Sequence, residues 1–183
     1  MATLTSIPRP AQKGVGGLKY VLLANYSDVI VTTDTSTGFC SFTLNPSGAI
    51  TPANSPFRKF VNTKESSDFA VTGTGNVPAG TTHYAHVLKM VFAKNEAAKR
   101  NAVKLLGNSE LIAVPVTRVQ DASANYIGWV LGAENGLDMT ASISNSGTGT
   151  GDLNGQTITL SGNQIDPEGC IDQTTLASIT PTT

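Results

Sequence analysis

Hydrophobic positions along this chain come in short bursts of strand length, divided by clusters of Gly, Pro, Asn, Asp and Ser. Leu18 to Asn25 is an almost unbroken apolar run, the pattern of a strand buried on both faces, and Val29 to Thr33 is a shorter one. Phe39 to Leu44 follows a polar turn and is closed by Asn45-Pro46-Ser47-Gly48. Thr82 to Ala93, Leu111 to Val119 and Tyr126 to Leu131 are further strands. Two late segments alternate with period two. Leu137 to Ser144 puts Met139, Ala141 and Ile143 on one face and Asp138, Thr140, Ser142 and Ser144 on the other. Gln156 to Ser161 turns Ile158 and Leu160 inward and Thr157, Thr159 and Ser161 outward.

One stretch carries the longer period. Ala98, Ala102, Leu105 and Leu106 recur at helical spacing, with Asn95 as N-cap, Glu96 in the first turn and Gly107 as the stop. This predicts a helix over 95–107, with Glu96 and Arg100 four apart on its exposed side. Residues 51–80 are Pro-bracketed and polar, an extended loop or a long hairpin with strands at Phe57 to Val61 and Phe69 to Thr72. Residues 1–17 read as an N-terminal arm, 18–172 as a single domain and 173–183 as a flexible tail. The sum is a mainly β fold: an antiparallel sandwich or barrel with one short flanking helix.

Composition narrows the function classes. Of 183 residues only 14% are charged, and the net charge is -1. A coiled coil and a long disordered chain are excluded by this balance, and a dedicated nucleic-acid binder would show a basic excess. The first residues lack a basic start followed by an apolar run, and no stretch reaches the length of a membrane span, so the expectation is a cytoplasmic product with no membrane partner.

Candidate chemistry is sparse. His83 and His86 are three apart on a strand, hence on opposite faces, and cannot share a metal. Cys40 and Cys170 read as small buried hydrophobes, with a disulfide between them left open. Gly147 to Asp152 offers one carboxylate, too few for a calcium loop. Trp129 and Tyr126 fit core packing better than an exposed aromatic platform. No nucleophile signature is present, so neither a catalytic residue nor a cofactor is expected.

The ordered combination of several blocks carries a resemblance. Leu105-Leu106-Gly107-Asn108 leads to Leu111-Ile112-Ala113-Val114-Pro115-Val116, then Tyr126-Ile127-Gly128-Trp129-Val130-Leu131-Gly132. Glu134-Asn135-Gly136-Leu137-Asp138-Met139-Thr140-Ala141 follows, then the loop Gly147 to Gly155, Thr157 to Gly162, and Asp166-Pro167-Glu168. With Gly16 to Asn25 as first strand, the chain resembles phage major tail tube proteins, structural proteins of phages of Bacteroidetes-like hosts. The resemblance implies a virion protein: a homo-oligomeric ring, usually of six, stacked into a tube through which DNA passes without specific binding. Its partners would be other tail proteins such as the tape measure, the terminator or the baseplate. Two other readings stay open, another tail or neck component and a β-sandwich that binds carbohydrate or a host surface.

Within the tube reading, two sets of residues are expected to matter. Phe57, Phe60 and Phe69, in the polar excursion, are the expected anchors of contacts between rings. Asp138, Thr140, Ser142, Ser144, Thr157, Thr159 and Ser161 carry no Lys or Arg and are the expected channel lining.

Overall fold

The computed structural model describes residues 16–63, 66–76, 80–121, 123–149 and 152–182. Most of the expected arm, residues 1–15, lies outside them. Eleven strands and two helices follow in chain order: β1 (Leu18–Asn25), β2 (Val29–Thr33), β3 (Cys40–Leu44), β4 (Arg58–Phe60), β5 (Asp68–Asn76), β6 (Thr81–Ala93), α1 (Ala97–Leu106), β7 (Leu111–Gln120), β8 (Tyr126–Val130), β9 (Asp138–Asn145), β10 (Gly155–Gln164), β11 (Gly169–Ile171) and α2 (Gln173–Ile179). The fold class matches the sequence expectation as a sandwich of antiparallel sheets, without a closed barrel and with a second helix.

A five-stranded sheet in the order β11-β8-β7-β1-β4 forms the middle layer. Its central pair explains the unbroken apolar runs, because both faces are covered. Leu22 pairs with Val114 and Leu23 with Ala113. Leu22, Ala24, Ile112, Val114 and Val116 pack into one core with Phe42 of the β2-β3 hairpin, Phe57 and α2. Val21, Leu23, Leu111 and Ala113 face the other way, into a second core with Leu88, Met90, Ile158 and Leu160 of the opposing sheet. That sheet has four strands in the order β5-β6-β10-β9.

Five expectations are corrected. The excursion from 51 to 80 is not a hairpin, because its two strands join different sheets: β4 pairs with β1 and β5 with β6. After β4, Thr63 donates its amide to the Val91 carbonyl of β6 at 2.8 Å. The last residues do not form a loose tail. The Asp172 carboxylate accepts the Thr175 amide at 2.9 Å and starts α2, which buries Leu176 and Ile179 in the first core. Helix α1 begins on Glu96 without a side-chain cap, while Asn95 instead donates to the Asn145 carbonyl at 2.9 Å. Its buried face is also rotated from the expected one. Val103 points into the core and Leu105 is 70% exposed, while Glu96 pairs with Lys94 at 2.8 Å rather than with Arg100.

Candidate assembly surfaces

The four-stranded sheet buries one face and leaves the other open. Register determines which side chains share a face, since residues directly opposite in an antiparallel pair point the same way. Leu160 lies between Leu88 and Met139, and Ile158 lies opposite Met90, on the buried face. The open face then carries Thr157 beside Val91, Thr159 beside Lys89, and Ser161 beside Val87 and Asp138. On β5, Asp68 sits opposite Lys89, Ala70 opposite Val87, and Thr74 opposite His83.

The expected wet residues of β9 are all exposed, but only half of them share the open face. The β9-β10 register shifts between Thr159 and Leu160, a bulge that leaves Thr140 without an opposite residue. A bulge reverses the alternation beyond it. Asp138 and Thr140 remain on the open face, where Ser161 donates to Thr140 Oγ1 at 3.3 Å. Beyond the bulge Ala141 and Ile143 join that face, opposite Thr159 and Thr157. Ser142 and Ser144 turn to the other face, opposite Ile158 and Gln156, and stay exposed because β9 is the edge strand. Ile143, read as inward, is 54% exposed. Lys89 also brings a cation onto the surface, offset by Asp68 beside it.

The three aromatic anchors lie in the interior. Phe57 has no exposed surface and meets Phe42 edge-on at 5.2 Å, so it is unavailable to another subunit. Phe60 is half-buried against Phe92, with ring centres 6.1 Å apart. Phe69 is half-buried against Trp129 at 6.4 Å, which also gives Trp129 a packing partner. Phe57 belongs to the first core, and Phe60 and Phe69 pack against the second.

Among the described residues, both edges of the four-stranded sheet, β5 and β9, lack a neighbouring strand. Every internal pair of the sheet is antiparallel. An even number of alternating strands makes β5 and β9 run in opposite directions, and they are similar in length, nine and eight residues. Open edges of this length are ready to pair.

A cavity of about 430 Å³ opens where β10 ends, near the tip of the β2-β3 hairpin. Its walls include Glu134, Asp166 and Glu168, with no Lys or Arg. The sequence has these carboxylates in separate loops, and Gln164 is what joins them. Its side-chain oxygen accepts the amides of Glu134 and Asn135, both at 3.0 Å, and its nitrogen donates to the Gly136 carbonyl at 2.9 Å. Gly132 and Gly136 have φ of 77° and 65°, which lets the turn between them close. Glu134 then accepts the Ile165 amide at 2.7 Å, fixing one wall to the other. His86, 2% exposed, lines this cavity. Its Nδ1 accepts the Gly132 amide at 3.4 Å, and its Nε2 has no partner. Burial pushes its pKa below the usual imidazole value, against the pull of the Asp166 carbonyl and the charges of Glu168 and Glu134. His83 projects from the opposite face of β6, as the spacing requires.

The remaining candidates are occupied locally. Cys40 is buried in the first core and Cys170 is half-buried, each as a free thiol. Cys40 lines the acidic cavity and Cys170 a separate groove beside Tyr126. The Asp152 carboxylate accepts from the amides of Thr148 and Gly149 and from the Thr148 hydroxyl, which lowers its pKa and uses it to shape its own loop. Among the described residues no group of His, Cys, Asp or Glu is placed to hold a metal ion, and no helix is long and apolar enough to cross a membrane. Comparison with family models, with curated proteins and with solved structures finds no match.

Proposed function

We propose that this chain is a structural virion protein, the tail tube subunit of a phage, which assembles into stacked rings that conduct DNA. The observation that carries the reading is the four-stranded antiparallel sheet, which among the described residues has two free edges and one open face. Rotating a copy beside itself puts β9 against β5 of the next copy, and the new pair is again antiparallel. A head-to-tail contact of this kind closes when the rotation divides the circle, and closure removes the edges. Six copies, the number the tail tube resemblance implies, would give roughly 24 strands. At about 4.8 Å between strands the backbone circle is about 37 Å across, and tilt widens it further. Side chains pointing inward leave a bore that admits a duplex.

The open face suits a conduit. It is built mainly of Thr, Ser, Ala and Val, with Asp68 beside Lys89 and Asp138 near Ser161. Phosphate contacts release counterions and hold DNA, so a lumen with one offset cation grips it weakly. The face has no row of aromatic rings on which bases could stack. Other tail proteins, such as the tape measure and the terminator, are the implied partners.

Hydrogen exchange tests the ring contact. Amides of β5 and β9 should exchange at least about tenfold more slowly in assembled protein than in the dissociated subunit, because edge amides gain partners only on pairing. Amides of the central strands β6 and β10 should change little. Equal exchange of β5 and β9 in both states would refute edge pairing.

A further inference from the structure

The two edge strands of the four-stranded sheet are not level with each other, and β6 gives the common scale. β5 lies opposite Thr81 to Lys89, with Asn76 at Thr81 and Asp68 at Lys89. β9 reaches β6 through β10. Asp138 is level with Ser161 and so with Val87, and Asn145 is level with Gly155 and so with Ala93. The sheet is therefore sheared, and its two edges overlap only between Val87 and Lys89. A second copy set flush beside it would pair only Asp68 to Ala70 with Asp138 to Ala141. The rest of both edges would stay unpaired, although most of their side chains are exposed. An odd displacement along the strand would set the open face of one copy against the inner face of the next. Of the even displacements, four and six residues each seat the whole of β9 on β5.

We propose that β5 of one copy pairs with β9 of the next at a displacement of four residues, which sets Ala70 opposite Ile143 and Thr72 opposite Ala141. The inference rests on the tube reading above and adds the register in which ring neighbours meet. Apolar contact selects four over six. At four, Phe69 and Val71 lie across from Ser144 and Ser142 on the inner face, and Ile143, 54% exposed in the single subunit, gains Ala70 beside it. At six, Val71 and Gly73 take those inner positions, and Ile143 meets Thr72. At four, Gly73 also falls opposite Met139, whose tip lies against Gly107 at the end of α1, so no side chain of the next copy crowds the helix. A shift of four residues over four strand spacings tilts the strands by about 35° from the tube axis, whatever the number of copies. For six copies this widens the backbone circle to about 45 Å.

A disulfide scan on the full chain tests the register. Ala141→Cys is combined in turn with Asp68→Cys, Ala70→Cys, Thr72→Cys and Thr74→Cys, which correspond to displacements of zero, two, four and six residues. All five positions are exposed, so the substitutions leave folding intact. Within one subunit the paired positions sit on opposite edges, about 14 Å apart, too far for a disulfide, so a cross-link reports the neighbour. Successive positions in the scan differ by about 7 Å along the strand. After oxidation of assembled protein, the Thr72 pair should cross-link at least about threefold more than any other pair, with single-cysteine variants as controls. Electron cryo-microscopy of the wild type should show inner-wall strands tilted by about 35°. Tubes in which another pair gives the highest yield, or whose inner strands run parallel to the axis, would overturn the displacement of four alone. Tubes in which no pair exceeds the controls would overturn edge pairing as well. A wild type that never assembles would overturn both the register and the tube reading.

Discussion

Phe57→Ala separates a core role from an interface role at one position. The sequence suggests an anchor between rings, whereas the structure leaves Phe57 no exposed surface and packs it edge-on against Phe42 at 5.2 Å. Removing a buried phenyl ring costs about 3–5 kcal/mol through lost transfer energy and the cavity left behind. The ring lies among Leu22, Val114, Ile179 and other side chains from the middle sheet, the β2-β3 hairpin and α2, which cannot all collapse into the space, so the middle of that range, about 4 kcal/mol, applies. With a urea dependence near ~2 kcal/mol/M, the unfolding midpoint should fall by about 2 M. The measurement is equilibrium urea unfolding followed by tryptophan fluorescence and circular dichroism, at concentrations low enough to keep the subunit dissociated. A midpoint within about 0.3 M of the wild type, together with lost assembly, would place Phe57 at an interface and refute the packing argument.

Leu176→Ala and Ile179→Ala should each destabilise the dissociated subunit by about 2–4 kcal/mol, since α2 completes the first core. Losses within about 0.5 kcal/mol in the same urea assay would mean an undocked tail. His86 has a folded pKa below its unfolded value, so the unfolded chain binds the proton more readily, and stability should fall as pH drops through about 6.5 and level off below the folded pKa. Thermal midpoints between pH 7.5 and 5 should show this slope, and His86→Gln should flatten it; an unchanged slope in the variant would assign the effect elsewhere. Thr140→Lys with Thr159→Lys should leave folding and tubes intact while making the tubes retain DNA in a salt-dependent way. Tubes of that variant that bind no more DNA than the wild type would put this face outside the channel.

How much of this was legible in the sequence depended on contrast between neighbouring residues. The central strands β1 and β7 were, because covering both faces requires unbroken runs such as Leu111 to Val114. The bulge at Thr140 was not, because Ser, Thr and Ala differ too little in hydropathy for Thr140-Ala141-Ser142 to betray a reversed alternation. In α1 the expected set held Ala102 and Leu106 but missed Val103, which sets the buried face, and took Leu105, which is exposed. Helix α2 has only Leu176 and Ile179 as anchors, although Asp172 before them and Pro181 after them are start and stop signals. The split of β4 and β5 between sheets depends on partners distant in sequence, which no local pattern specifies. The acidic cavity was equally hidden, since Gln164 gathers loops from different hairpins.

Electron microscopy of the purified full chain at high concentration and near-neutral pH tests the central claim most directly. The account predicts rings and hollow tubes whose end views are cyclic, with the four-stranded sheets forming one continuous inner wall around a bore wide enough for duplex DNA. A monodisperse monomer across the same concentrations, with neither rings nor tubes in the images, would contradict it.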